Sequence, residues 1–146
     1  HGEIITREII LELVNRLKAC LHHRASLYRI SDNQFTIILP KISDPTSMGT
    51  YAEQLIEACT HEYRVEGKDV YISISIGIAT SPSDGDTADI LTRNAQLAVN
   101  RTSKTRNSYE FFQRGMEEQL QLKREMIVDL RTAIHDNQFE LFYQPQ

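Results

Sequence analysis

The stretch RASLYRISDNQFTIIL, residues 24–39, decides the fold. Two apolar, β-branched runs flank the four polar residues SDNQ at 31–34, which is the pattern of two strands joined by a tight turn. Asp32 and Asn33 tolerate the left-handed backbone that such a turn needs, and the apolar runs set the register. The stretch therefore predicts a β-hairpin. Its tip is the best candidate site, because a rigid hairpin presents its tip to a ligand.

The composition is that of a globular domain. The chain has 146 residues, 40% hydrophobic and 25% charged, with a net charge of −4 and no basic stripe. We therefore expect one domain with a core and no nucleic-acid partner. No run has the length of a membrane span or the pattern of a signal peptide, so we expect a fragment without membrane contact. Two cysteines interpreted as buried free thiols favour a cytoplasmic setting. The abrupt start at His1 indicates a fragment, and anchoring of its parent protein to the inner membrane stays open.

The cysteines and histidines do not form a metal-binding motif. Cys20 and Cys59 each fall on the apolar face of a predicted helix, where buried thiols are the simplest interpretation. The adjacent pair His22 and His23 lacks the spacing of a metal site. We therefore expect no metal ion at these residues.

Hydrophobic periodicity predicts three helices before residue 104. The first spans residues 3–21, with an apolar stripe at Ile5, Ile9, Leu13, Leu17 and Cys20. The second is capped by Asp44, has Pro45 at its first position and runs to about Thr60. Its predicted buried stripe is Met48, Ala52, Leu55 and Cys59. In the third, Asp86 and Asp89 resemble a capping box, and the helix runs to about Ser103. Its predicted inward stripe is Ala88, Leu91, Ala95 and Ala98.

Alternation of apolar residues predicts further strands. Residues 63–66 form a short strand, a turn at 67–69 follows, and residues 70–79 form one long regular strand. Residues 107–112 form a last short strand. Helices and mostly antiparallel strands in this order predict an α+β fold with a central sheet flanked by helices.

The pattern changes near Gly115. Apolar residues with heptad spacing predict a long helix that leads out of the domain, with Lys123 in the one remaining seam position. These residues are Met116, Leu120, Ile127, Leu130 and Ile134. An ordinary helix packed on its own domain fits the pattern equally well, because two heptads are too few to specify a coiled coil. The final stretch FELFYQPQ, residues 139–146, predicts a strand with no partner left in the chain.

Several strings, in this order, resemble the GGDEF domain of the diguanylate cyclase family, followed by the start of an EAL domain. They are YISISIGIA at 71–79, SPSDGD at 81–86, NAQLAVNR at 94–101, RNSYEFF at 106–112 and FELFYQPQ at 139–146. The resemblance implies a nucleotidyl-cyclase-like fold with a ferredoxin-like core. It assigns residues 1–112 to a degenerate GGDEF domain without its N-terminal part, 113–137 to a linker helix and 138–146 to the start of an EAL domain.

The resemblance places SDNQF, residues 31–35, on the GGDEF signature, where only Phe35 matches. In active relatives the paired glycines admit the nucleotide's phosphates and the acid holds a divalent metal. Here Ser31 and Asp32 carry side chains where close approach is needed. Asn33 replaces the metal-binding acid and Gln34 a second carboxylate, so the charge that attracts Mg²⁺ is lost. This departure implies a catalytically inactive domain with no metal, and with Mg²⁺ as cofactor only if nucleotide binding survives.

Other positions of the family pattern are altered too. Arg7 stands where the family has a guanine-binding aspartate, and an arginine cannot accept hydrogen bonds from guanine. His22 and Ala25 stand where the family's RxxD feedback motif has its two anchors, so binding of cyclic di-GMP there is not expected. Lys104 and Arg106 lie near a phosphate-binding motif of the family. Solvated charges at a helix end are the simpler and favoured interpretation of both residues.

The resemblance implies an inactive regulatory or dimerisation module for a downstream EAL domain in bacterial cyclic di-GMP signalling. Gln144 falls on the EAL strand whose glutamine lines the substrate site. Two alternatives are a GTP-binding sensor that activates an EAL phosphodiesterase and a residual diguanylate cyclase. A retained nucleotide site would use Arg7, Asp32, Asn33, Lys104 and Arg106. The expected partners are the EAL domain, a second copy through the linker helix, and weakly bound GTP.

Overall fold

The computed structural model describes residues 2–42, 44–102 and 105–135. The chain divides into two compact units, His1–Phe112 and Gln113–Gln146. The elements of the first unit, in chain order, are α1 (Gly2–Cys20), β1 (Ser26–Ser31), β2 (Gln34–Ile38), α2 (Pro45–Thr60), β3 (Tyr63–Val65), β4 (Lys68–Val70), β5 (Ser75–Ile78), α3 (Ala88–Thr102) and β6 (Ser108–Phe111). The second unit contains α4 (Met116–His135).

The first two helices supply much of the core, as their apolar stripes predict. Leu13 and Leu17 of α1 are buried in one cluster with Leu55 and Cys59 of α2. All four predicted stripe residues of α2 are buried. The predicted cap is also confirmed, because the Asp44 carboxylate accepts a hydrogen bond from the Ser47 amide at 2.8 Å. The hydrogen bonds from Ser47 lower the pKa of the Asp44 carboxyl below its ordinary value.

The prediction of one long strand at 70–79 is wrong, because this part of the chain contributes to two short strands, β4 and β5. β4 pairs antiparallel with β3, whereas β5 pairs parallel with β6. The chain changes partner between them, and the Asn107 side-chain oxygen accepts the Ile74 amide at 3.0 Å. The turn also lies earlier than expected, at Glu66 and Gly67, so that Lys68 begins β4.

The N-terminus of α3 differs from the predicted capping box. Thr87, not Asp86, caps the helix: its Oγ1 accepts from the Ile90 amide at 3.3 Å and its carbonyl accepts from the Leu91 amide at 3.0 Å. Thr87 fits this role because a threonine hydroxyl can reach the free amides of the first turn.

The buried face of α3 is also shifted from the predicted stripe. Ala98 is buried, but so are Asn94 and Thr102, while Ala88 is exposed. Asn94 is stable inside because its Nδ2 donates to the Asp84 carbonyl at 2.6 Å. A polar residue on the inward face cannot be predicted from hydrophobic spacing alone.

The fold is α+β, as expected, but its strands do not form one continuous sheet. Within the described ranges they form three two-stranded ladders, two antiparallel and one parallel. α3 connects the parallel pair β5 and β6 and packs directly on β5. Gly77 permits this contact, because a Cβ there would overlap the Ala95 carbonyl and lie 2.6 Å from the Val99 amide nitrogen.

α4 confirms the long helix expected after Gly115. Its side chains Leu122, Met126 and Val128 are more than half exposed. Nothing in this unit tests the heptad pairing, and the expected strand at 139–146, with Gln144, lies outside the described residues. No helix in the described ranges combines the length and apolar character needed to cross a membrane.

Candidate functional site

The predicted hairpin is present, and its inner face fixes it to the domain. β1 and β2 are antiparallel, and Ser31 pairs with Gln34, which leaves Asp32 and Asn33 as a two-residue turn. Leu27, Phe35 and Ile37 pack against the core cluster. The tip is therefore supported by packed side chains while its own residues are exposed.

The turn differs from the expected one in its backbone. Among the described non-glycine residues, positive φ angles occur at Lys41, Glu66 and Asn107, and so not at Asp32 or Asn33. The register shifts between Arg29 and Ser31, which leaves Ile30 as an extra residue on β1. A bulge bends a strand and increases its twist. The hairpin therefore closes through a bulge rather than a left-handed turn.

Arg29 is the residue that organises the tip. Its Nε donates to the Ser31 carbonyl at 3.1 Å, and its Nη2 lies 3.5 Å from the Asp32 carbonyl and 3.3 Å from Asp32 Oδ1. The Ser31 hydroxyl also donates to Asn33 Oδ1 at 3.3 Å. The polar groups of the tip are thus engaged with one another. Arg29 was not among the residues predicted for the site, although an arginine three positions before Asp32 is a visible signal.

The donor set of the tip does not suit a magnesium ion. Mg²⁺ prefers carboxylate and phosphate oxygens in octahedral geometry. The tip holds one carboxylate, on Asp32, and that group already pairs with Arg29. The neighbouring Asn33 offers only a neutral amide oxygen. Within the described ranges, no group of three or more histidine, cysteine or acidic residues is arranged to hold a metal.

The other predicted nucleotide-binding residues are not joined to the tip by any hydrogen bond or ion pair among the described side chains. Arg7 lies on the exposed side of α1, and Arg106 is exposed in the turn before β6. Lys104 lies outside the described residues. The structure therefore places the proposed phosphate and base contacts on separate elements. Their role in binding stays a prediction.

The segment expected to have lost the feedback motif is fixed by local contacts. The His22 and His23 rings lie 4.3 Å apart, and the His22 amide donates to the Tyr51 hydroxyl at 3.2 Å. His22 Nδ1 lies 3.4 Å from the Arg24 amide.

Both cysteines are free thiols, and burial raises the pKa of Cys59 to about 11. That thiol is a core group rather than a nucleophile.

A groove of about 520 Å³ lies away from the tip, between α1 and the β3–β4 hairpin. Arg16 closes one side of it, donating to the His61 carbonyl at 2.9 Å and the Glu62 carbonyl at 2.7 Å. Its guanidinium also lies 4.0 Å from the centre of the Tyr63 ring. The groove shares no lining residue with the tip. The hydrogen bonds of Arg16 hold α1 against the residues that precede β3.

The geometry can now be compared with known proteins. Residues 1–108 match the model of the GGDEF family, described as diguanylate cyclase, GGDEF domain. The chain belongs to the GGDEF family. The match covers the hairpin with its SDNQ turn, both flanking helices and the β5–α3 unit.

Its relatives are large signalling proteins. The chain is 31% identical, over its whole length, to the bifunctional diguanylate cyclase/cyclic di-GMP phosphodiesterase MucR of Pseudomonas aeruginosa, of which it covers 21%. It is 25% identical over 93% of its length to the cyclic di-GMP phosphodiesterase NbdA of the same organism, covering 18% of that protein. The chain thus spans about a fifth of the length of these relatives.

Solved structures support the fold. An EAL/GGDEF domain protein from M. capsulatus superposes with a TM-score of 0.71 at 28% identity, over 76% of this chain and 72% of that one. The GGDEF domain of TpbB, also called YfiN, from Pseudomonas aeruginosa superposes with a TM-score of 0.74 at 22% identity. That match covers 78% of this chain and 67% of the other. The α+β architecture is thus that of GGDEF domains.

Proposed function

We propose that this chain is a catalytically inactive GGDEF domain that regulates an adjacent EAL domain in cyclic di-GMP signalling. One observation carries the proposal: residues 31–35, which the resemblance places on the GGDEF signature, are SDNQF, and their single carboxylate forms an ion pair with Arg29. Relatives such as MucR and NbdA are named for cyclic di-GMP chemistry, which supports the signalling context.

The chemistry of the tip argues against turnover. Phosphoryl transfer depends on divalent metal ions and positive groups that offset charge on the phosphates. Asn33 cannot supply the negative charge that holds such a metal, and Gln34 is neutral as well. Ser31 and Asp32 add side chains where glycines would admit phosphates. The hairpin is thus a stable turn with little catalytic potential.

The regulatory part of the proposal rests on α4. Ile127 and Leu130, two of the predicted heptad positions, are exposed, which favours a partner helix, and a second copy of this chain is the partner that the heptad spacing suggests. In the proposal the helix itself links the GGDEF domain to the EAL domain, with Gln144 on the first EAL strand. This coupling rests on the sequence pattern and on the relatives' names.

A GTP-binding sensor is the second candidate function. Exposed Arg106 favours it, as Lys104 would, because both could contact phosphates; Arg7 and Asp32 count against it. A sensor requires that GTP bind one state of the protein more tightly than another. The third candidate is residual cyclase activity.

Activity is tested by incubating the protein with GTP and Mg²⁺ or Mn²⁺ and measuring cyclic di-GMP by chromatography. We expect none, while an active diguanylate cyclase in the same buffer produces it. Production above the protein-free background would establish residual cyclase activity and overturn the proposal.

Binding is tested by titrating GTP with Mg²⁺ into the protein by calorimetry. The proposed regulatory module predicts no heat of binding. A micromolar dissociation constant would favour the sensor. The variant Arg106→Gln would then have a lower affinity for GTP if this arginine contacts the phosphates. An unchanged affinity in that variant would remove Arg106 from the site.

A further inference from the structure

The heptad seam of α4 presents apolar side chains and one lysine to solvent. Ile127 and Leu130 are 40% and 43% exposed, and Lys123, at the remaining seam position, is exposed as well. Met116, the first residue of the heptad pattern, is only 5% exposed and is therefore not available to a partner. The part of the seam that another helix can meet lies C-terminal to Met116.

We propose that α4 pairs with α4 of a second copy of this chain in an antiparallel orientation. This orientation rests on the helix pairing in the proposed function and adds the direction in which the two helices run. A two-fold axis level with Glu125 places position 123 of one helix opposite position 127 of the other, and position 120 opposite position 130. In such a symmetric pair each of these contacts occurs twice.

Lys123 is the residue that decides the orientation. In a parallel pair each seam residue faces its own copy, so two Lys123 ammonium groups would meet inside the seam. Like charges repel each other, and enclosing them between apolar side chains also removes their hydration. In the antiparallel pair Lys123 faces Ile127 of the second copy. Its four-carbon stem then covers that side chain while the ammonium reaches water.

The two flanks of the seam favour the same orientation. Met126, beside the seam on one flank, is 57% exposed, whereas Arg124 and Arg131 lie on the other flank. An antiparallel pair brings like flanks together, so Met126 packs on Met126 of the second copy and both lose contact with water. The two Arg124 side chains then meet on the opposite rim, where solvent and salt screen their charges.

Distances between spin labels measure the orientation directly. Glu125→Cys and Thr132→Cys, each made in a Cys20→Ser chain, place nitroxide labels at two exposed positions one heptad apart, both on the side opposite the seam. Cys59 stays unlabelled because it is buried. In the antiparallel pair the two labels at 125 are level, whereas those at 132 are displaced along the helix axis by about 21 Å. Pulsed electron paramagnetic resonance should therefore give a longer distance at 132. Equal distances at both positions would indicate parallel helices and overturn the proposal.

Substitutions of Ile127 test its contact with Lys123. In the antiparallel pair Ile127→Glu places a carboxylate opposite Lys123 of the second copy, whereas Ile127→Lys places a second ammonium there. Both variants lose apolar contact, but we expect the dissociation constant of Ile127→Lys to be at least several-fold higher than that of Ile127→Glu, as measured by sedimentation equilibrium. In a parallel pair each new charge meets its own copy, so equal dissociation constants would contradict the antiparallel pairing.

Val128→Glu is the matched control. Val128 is 59% exposed and adjoins Ile127 in the chain, but it lies on the side of α4 away from the seam. The same added charge there should leave the dissociation constant close to that of the wild type, and circular dichroism checks that each variant keeps its helices. A wild-type chain that stays monomeric at every concentration, or a Val128→Glu chain as impaired as Ile127→Glu, would refute the proposed seam.

The outcome is separable from that of the proposed function. Cyclic di-GMP production by a chain with antiparallel α4 helices would overturn the inactive state but leave the pairing in place. A silent cyclase assay with equal label distances at 125 and 132 would do the reverse.

Discussion

The two hairpins of the first unit are each closed by two residues, yet by different means. In β3–β4 the turn residues Glu66 and Gly67 have φ angles of 50° and 74°, so the backbone itself makes the left-handed turn. In β1–β2 neither Asp32 nor Asn33 has a positive φ, and a bulge at Ile30 and the contacts of Arg29 close the tip. One hairpin turns through left-handed backbone, and the other turns through a bulge at Ile30.

The hairpins also differ at their bases. Tyr63 of β3 is 1% exposed, and its hydroxyl donates to the Cys59 carbonyl at 2.7 Å. The inner face of β1–β2 is only partly buried. We therefore expect β3–β4 to contribute more than β1–β2 to the stability of the domain.

The largest effect should come from Arg16→Ala, which removes the anchor of β3. The guanidinium makes two hydrogen bonds to backbone carbonyls and lies over the Tyr63 ring. We expect a loss of about 2–3 kcal/mol in the free energy of unfolding, since hydrogen bonds from charged groups and cation–π contacts add up. Chemical denaturation followed by circular dichroism measures it. Arg29→Ala should cost far less; equal losses would contradict the difference between the hairpins.

Gly67→Ala should have the next largest effect. A Cβ at Gly67 meets no atom within 4 Å, so any loss reflects the left-handed backbone alone. We expect about 1–2 kcal/mol, the usual cost of that conformation for an L-residue. Asn33→Ala is the matched change at the other tip, where we expect less than about 0.5 kcal/mol. A similar loss in both variants would show that the two turns share one backbone type.

Alkaline pH should weaken the core beneath β3–β4. Burial raises the pKa of Cys59 from 9.0 to about 11, so the unfolded chain loses this proton at a lower pH than the folded chain. The stabilisation is complete below pH 9 and is lost as pH rises toward 11. By pH 9.5 we expect a loss below about 1 kcal/mol relative to pH 8. Melting curves of Cys59→Ala should lack this contribution, and an identical slope in that variant would assign it elsewhere.

The smallest effect is expected from Glu66→Asn, which tests whether the left-handed backbone of the β3–β4 turn strains Glu66. Asn tolerates the left-handed region better than Glu, and Asn-Gly is a strong signal for this turn. We expect a gain of about 0.5 kcal/mol. Thermal unfolding measures it. A loss would indicate that the Glu66 side chain makes a stabilising contribution greater than the strain.

Sequence patterns were most informative where one physical property decides the structure. The spacing of Leu13 and Leu17, the cap at Asp44 and the polar break at residues 31–34 each predicted their element correctly. Sequence patterns gave wrong predictions where contacts between elements decide the structure. The run at 70–79 alternates well, but β3 and β6 pair with different parts of it. The cap at Thr87 and the buried Asn94 depend on contacts within the folded loop and helix.

Local sequence properties were sufficient to predict the α+β class, the first two helices and the hairpin with its SDNQ turn, because hydrophobic spacing and residue chemistry act over short stretches. The folded backbone was needed to show that the tip closes without a left-handed turn and that Asp32 forms an ion pair with Arg29. A bulge changes which side chains of the two strands face one another. The spacing of residues in the sequence does not predict where such a register shift occurs. The physical reason is that pairing across two strands is set by the whole ladder rather than by the turn residues alone.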